Sequence, residues 1–229
     1  MGHCYMQLTI SCNDRDKVET SKLAIAHYCA ALQYEQEQEH RFVDKVVSEV
    51  TSLVRYVQTD MYRREDQHCL VNEMEILSKF SFLKDKHNHP IFAVITEAYL
   101  NLGFKYYDLV VKVANKRDFV KSRHYLQSLY YIICKVDAYT HHQEEPSPED
   151  EENRKLLKEE YTHHQMIVSS MDFLKEGSGM CEDVKREMKK ADCDIEEVLH
   201  HAWSALDRLR EAERLADGRD DEIYFKAQR

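Results

Sequence analysis

An all-α fold is what this sequence predicts, on three observations. Only five Gly and three Pro occur in 229 residues. Neither residue appears between His3 and His89. The sustained apolar rhythm of that stretch is the three-to-four spacing of Phe42, Val46, Val50, Leu53, Val57 and Met61, the period of one helix face. Helix interiors tolerate Gly and Pro poorly, so the few that occur punctuate helix ends. The expectation is seven to eight helices in antiparallel hairpins, arranged as a bundle or short solenoid.

The elements follow in order. Asp14 or Asp16 is placed to cap a first helix to about Tyr34, carrying Val18, Leu23, Ile25, Cys29 and Leu32. A second helix bears the Phe42 to Met61 stripe. A third carries Leu70, Met74, Ile76, Leu77 and Phe80, and Lys84 to Pro90 ends it. The fourth runs from about Ile91 to Ala114, Asn115 to Asp118 turns, and the fifth carries Phe119, Leu126, Leu129, Ile133 and Val136. A sixth, Leu156 to Leu174, is expected to stop at Gly177-Ser178-Gly179. Asp194 and Glu197 have capping-box spacing at the start of a long amphipathic helix that Asp217-Gly218 ends. Its stripe of Val198, Leu199, Ala202, Leu206 and Leu209 is expected to face the core, with Glu197 and His200 on the water side.

Residues 1–140 thus read as an N-terminal helical hairpin region, 153–217 as C-terminal helices and 218–229 as a tail. Between them, 141–152 holds Pro146, Pro148 and six acidic residues. Such a composition buries too little apolar area to offset the entropy of ordering, so it reads as a linker. Ser147-Pro148 within it is a candidate phosphorylation site.

Bulk composition excludes several classes. A formal charge of −10 argues against broad affinity for nucleic acid, which needs clustered Lys and Arg. The longest apolar runs fall far short of the roughly 20 residues a bilayer demands, so no membrane is expected. Seven cysteines without a C-x-x-C pair read as reduced thiols in a cytoplasmic or nuclear protein. Glycine-rich phosphate loops are absent, no catalytic signature stands out, and no cofactor is expected. The pattern Glu-x-x-His does occur four times, at Glu37/His40, Glu65/His68, Glu160/His163 and Glu197/His200. Di-iron bundles use that spacing because one helical turn aims both ligands at one metal. A metal-dependent helical-bundle enzyme is therefore one alternative, and an acidic cofactor of a nucleic-acid-processing complex is another.

The fourth helix is apolar on two faces. Ile95, Leu102, Tyr106, Leu109 and Val113 make one stripe, and Leu100, Phe104, Tyr107 and Val111 lie far around from it. A polar edge of Lys105, Asp108, Lys112 and Lys116 runs between them and continues into Arg117. From Thr96 to Lys135 seven Lys or Arg stand against three acids, a contrast with the acidic chain that suits an acidic peptide.

Tyr99-x-x-Leu102-Gly103-x-x-Tyr106 resembles the first-helix pattern of tetratricopeptide repeats, with Asp118-Phe119 and Ser122 similar to the start of the second helix. That resemblance implies a helical-hairpin fold and groove-facing positions at Leu100, Asn101, Phe104 and Tyr107. Val43 to Val57 and Tyr106-Tyr107 are similar to two helices of 14-3-3 proteins, although the phosphate-reading Arg-Tyr pair of that family falls on Asp108-Leu109 here. The sequence reading is an adaptor or scaffold that binds a protein or peptide through a helical groove of Leu100, Asn101, Phe104 and Tyr107, with Lys105, Lys112, Lys116 and Arg117 as its cationic edge. An oligomer is compatible with it.

Overall fold

The computed structural model describes residues 1–12, 14–33, 40–61, 67–83, 89–190 and 193–228. Among them there are nine α-helices and no strand: α1 (Gly2–Ser11), α2 (Asp14–Gln33), α3 (His40–Tyr56), α4 (Gln67–Leu77), α5 (Ile91–Ala114), α6 (Phe119–Thr140), α7 (Pro148–Glu187), α8 (Ile195–Ala216) and α9 (Asp221–Ala227). A π turn, Val57–Met61, prolongs α3, and a 3₁₀ turn, Ser78–Leu83, prolongs α4. The all-α expectation holds. Its count differs because α1 and α9 are added, and α7 is longer than expected at both ends.

The C-terminal extension has a packing cause. Gly177-Ser178-Gly179 does not stop α7, which passes through it to Glu187. A Cβ at Gly177 would stand 2.8 Å from Leu209 and 3.2 Å from the Ala205 carbonyl. The glycine is there to let α8 approach the backbone of α7 and not to end a helix.

The acidic stretch is likewise more ordered than its composition suggests. Pro148 opens α7, a position where a missing N–H costs nothing, and Glu149, Asp150 and Glu151 complement the positive end of its dipole. Just before it, the Gln143 amide donates to Thr96 Oγ1 at 2.7 Å and the His142 ring stacks on Phe92. The 218–229 tail contains α9, whose N-cap Asp220 accepts from the Ile223 N–H at 3.1 Å.

The chain forms two compact units. Unit 1 comprises 1–108 and 128–158, and unit 2 comprises 109–127 and 159–229. Their boundaries along the chain fall inside α5, α6 and α7. In unit 1, Val46, Val50, Leu53 and Val57 are buried, as their period requires, with Ile25, Cys29 and Leu32 of α2 and Leu70, Ile76, Leu77 and Phe80. The Phe42 and Met61 side chains lie outside the described residues, as does Asp14's. Tyr99 is sealed in and stacks on Tyr139. Gly103 lets α5 approach α7, since a Cβ there would stand 2.5 Å from Leu157.

In unit 2, α8 is capped by Asp194, which accepts from the N–H groups of Glu196 (2.9 Å) and Glu197 (3.3 Å). It ends at Gly218, whose φ of +67° is the left-handed region glycine adopts without strain. Its buried residues are Ala205, Ala212, Leu215 and Ala216.

Candidate functional site

The residues of the expected groove divide by environment. Leu100 is 2% exposed and packs inside unit 1, so it cannot touch a partner; α5 buries it because both of its apolar faces are needed by neighbours. Asn101 is exposed, and Phe104 and Tyr107 are half-buried.

Lys105 is not part of a free cationic edge. Its Nζ lies 2.9 Å from a carboxylate oxygen of fully buried Glu73, while the Gln58 amide donates to the other oxygen at 3.1 Å and to the Ala98 carbonyl at 3.0 Å. A buried carboxylate demands such partners, and the π turn is what brings Gln58 to it. Here the Lys neutralises a core charge.

In unit 2, Arg117 is also committed. It sits at φ +57° after α5, where its N–H and that of Asp118 return to the carbonyls of Ala114 and Val113 and close the helix. Its guanidinium pairs with Asp220 and, at 2.8 Å, with Glu222. Lys112 and Lys116 are exposed, and so is Ser147.

Of the Glu-x-x-His pairs, Glu197 and His200 are exposed as expected, and Glu160 and His163 are half-buried. Glu37 and Glu65, with the side chains of His40 and His68, lie outside the described residues. Among the described residues no three His, Cys, Asp or Glu side chains converge as a metal site requires. Among the described residues none of the seven cysteines forms a disulfide. No described helix is long and apolar enough to cross a membrane.

Two surfaces were not legible in advance. The first is a cleft of about 490 Å³ in unit 1, lined among others by His3, His27, Tyr28, Lys45, Val46 and Glu49. Its one carboxylate is already satisfied. The Tyr28 hydroxyl donates to one Glu49 oxygen, and His3 Nδ1 stands 3.2 Å from the other. Burial, then the Glu49 contact, holds the Tyr28 phenol well above its ordinary pKa.

The second is the outer face of α8. Ile195 is 70% exposed, Leu199 54%, Trp203 62% and Leu206 37%. Their spacing of four, four and three residues puts them on one side of the helix. The expected core stripe therefore points outward at Leu199 and Leu206, because the close approach at Gly177 draws the alanine side of α8 inward instead. The missed residues are Ile195 and Trp203. A usable signal was present in Ala205 and Ala212, seven apart and small, which mark the face that a neighbouring backbone can approach.

No protein-family model, curated protein or solved structure matches this chain.

Proposed function

We propose that the protein is an interaction scaffold whose docking surface is the outer face of α8, and that it receives an apolar face of a partner helix. One observation carries this reading. Four large apolar side chains, including the only Trp of the chain, stand in line on the solvent side of a helix whose opposite side is packed. Water-exposed rows of this kind on a rigid, capped helix mark contact surfaces, and Trp is the residue most enriched at their centres.

The groove reading of α5 is weaker, since Leu100 is buried and Lys105 and Arg117 are tied internally. The close contact of Gly103 with Leu157 and Ile132 supports a tetratricopeptide-like reading of that hairpin as scaffold. Seven cysteines without a disulfide among the described residues support a cytoplasmic or nuclear setting.

A photoreactive residue placed at position 199 tests the proposal. Adducts to a polypeptide segment with apolar residues at helical spacing are expected, and Trp203→Ala should weaken capture about thirtyfold, the roughly 2 kcal/mol of a central aromatic anchor. A reagent that labels no polypeptide would overturn it, and so would a Trp203→Ala variant that melts many degrees lower.

A further inference from the structure

The exposed face of α8 has a finer order. Ile195, Leu199, Ala202, Leu206 and Leu209 follow spacings of four, three, four and three, a heptad seam in which Ile195, Leu199 and Leu206 are exposed and Ala202 and Leu209 half-buried, Leu209 beside Gly177. Along one flank of that seam stand Glu196, Trp203 and Arg210, each seven residues from the next. All three are exposed. On the other flank, Ala205 and Ala212 are buried within unit 2. Only the Glu196–Trp203–Arg210 flank is open to a partner.

We infer that the helix received by this face is α8 of a second copy of the chain, laid antiparallel across a two-fold axis at Trp203; the inference rests on the scaffold reading above and names its partner. A two-fold axis perpendicular to two antiparallel helices keeps the same flank of each on the same side. Trp203 then lies beside the second copy's Trp203. Glu196 meets the second copy's Arg210, and Arg210 meets the second copy's Glu196. In that register Ala202 of each copy faces Leu206 of the other, a small residue against a large one.

The charge layout carries the argument. One acid and one base at equal distances on either side of a single aromatic are self-complementary only when the pairing is antiparallel and isologous. A parallel pair would set this flank against the buried alanine flank, which has no access. Both ions are available. Among the described residues Arg210 makes one long contact, 4.0 Å to Asp207 on its own helix, and Glu196 has no cation within ion-pair distance. Arg208 and Arg214, by contrast, are engaged with Glu176 and Glu211.

Sedimentation equilibrium of the full chain tests this, with the emission of the single Trp as a second readout. The expected result is a mass that doubles with concentration as the Trp emission shifts to the blue. Arg210→Glu alone and Glu196→Arg alone should each weaken the dimer at least tenfold, because each sets like charges together twice, and combining them should restore it. Circular dichroism at low concentration should show the same helicity for all four proteins. A chain that stays monomeric overturns the inference, as does a dimer indifferent to both charge variants, or two weakened single variants that the combination fails to rescue. Adducts from position 199 to a different protein, with the chain monomeric, would overturn the second copy and leave the scaffold reading standing. Failure of both experiments would remove both.

Discussion

Helices α3 and α8 carry apolar stripes of the same period and meet opposite fates. Val46, Val50, Leu53 and Val57 of α3 are all buried in unit 1. Leu199 and Leu206 of α8 face water, while Ala205, Ala212 and Ala216 of the same helix are sealed in unit 2. A stripe records which side of a helix gains most from leaving water; it does not record what stands opposite. For α3 the surroundings are the core of unit 1, whose buried side chains, Ile25 and Leu32 of α2 and Leu70, Ile76 and Phe80 among them, are large. For α8 it is the backbone around Gly177 of α7, which the Leu209 side chain and the Ala205 carbonyl reach because the glycine has no Cβ. Packing near Gly177 thus selects the face of Ala205, Leu209 and Ala212 and leaves Leu199 and Leu206 exposed.

The sharpest way to break this comparison is to truncate one leucine from each stripe. Leu53→Ala opens a cavity in a closed core and should cost about 3 to 4 kcal/mol. Leu199→Ala should change stability by no more than about 0.5 kcal/mol, as exposed substitutions do. Urea denaturation at low protein concentration measures both. Equal losses would mean that the two stripes are both core.

Next in size is the charge buried where the π turn prolongs α3. Lys105→Met leaves the Glu73 carboxylate with the Gln58 amide as its remaining described donor. A buried ion stripped of its partner costs several kcal/mol; with Lys105 partly reached by water, about 2 to 3 kcal/mol is expected. Lys112→Met, on the exposed edge of the same helix, should be nearly silent. A Lys105 variant as stable as the Lys112 variant would return Lys105 to the surface role its sequence position suggested.

The glycine pair of α7 sharpens the other half of the comparison. Gly177→Ala drives a methyl against Leu209 and the Ala205 carbonyl and should lose about 1 kcal/mol net, even after the gain in helix propensity. Gly179→Ala meets nothing within 4 Å and should gain about 0.5 to 1 kcal/mol for the same propensity reason. Thermal melts of the two variants should therefore move in opposite directions. Shifts of the same sign would separate α8 from Gly177 and remove the reason its alanine face is buried.

Much of this could be read from the sequence, and what could not has a common cause. The bounds of α5, the buried residues of α3 and α6, the Asp194 cap and the Gly218 stop all follow from local chemistry: period, capping oxygens and backbone freedom. The continuation of α7 through Gly177, the inward turn of Ala205 and the capture of Lys105 by Glu73 depend on residues far apart in the chain. Local rules rank the faces of a helix by apolar content and score a glycine by its propensity. They do not register that a low-propensity residue can be worth its place when another helix must come within contact distance. The candidate surface on α8 was hidden by that omission, since the same rule that found its stripe assigned it to the core.

The smallest effect concerns protons in unit 2. His164 of α7 is largely buried, and burial, reinforced by neighbouring His163, lowers its pKa from the ordinary 6.5 despite the Glu160 carbonyl 3.1 Å from Nδ1 and the Glu160 carboxylate beyond it. A base whose folded pKa is depressed binds more protons when unfolded over the window between the two values. Stability should accordingly be unaffected above about pH 7, decline as pH falls through 6.5, and level off below the folded pKa. His164→Gln keeps a polar side chain of similar reach and removes the titration, so its stability should fall less steeply between about pH 7 and pH 5 than that of the parent. Urea midpoints collected across that range for the two proteins decide the matter; parallel curves for parent and His164→Gln would mean that His164 titrates in the folded chain as it does in water.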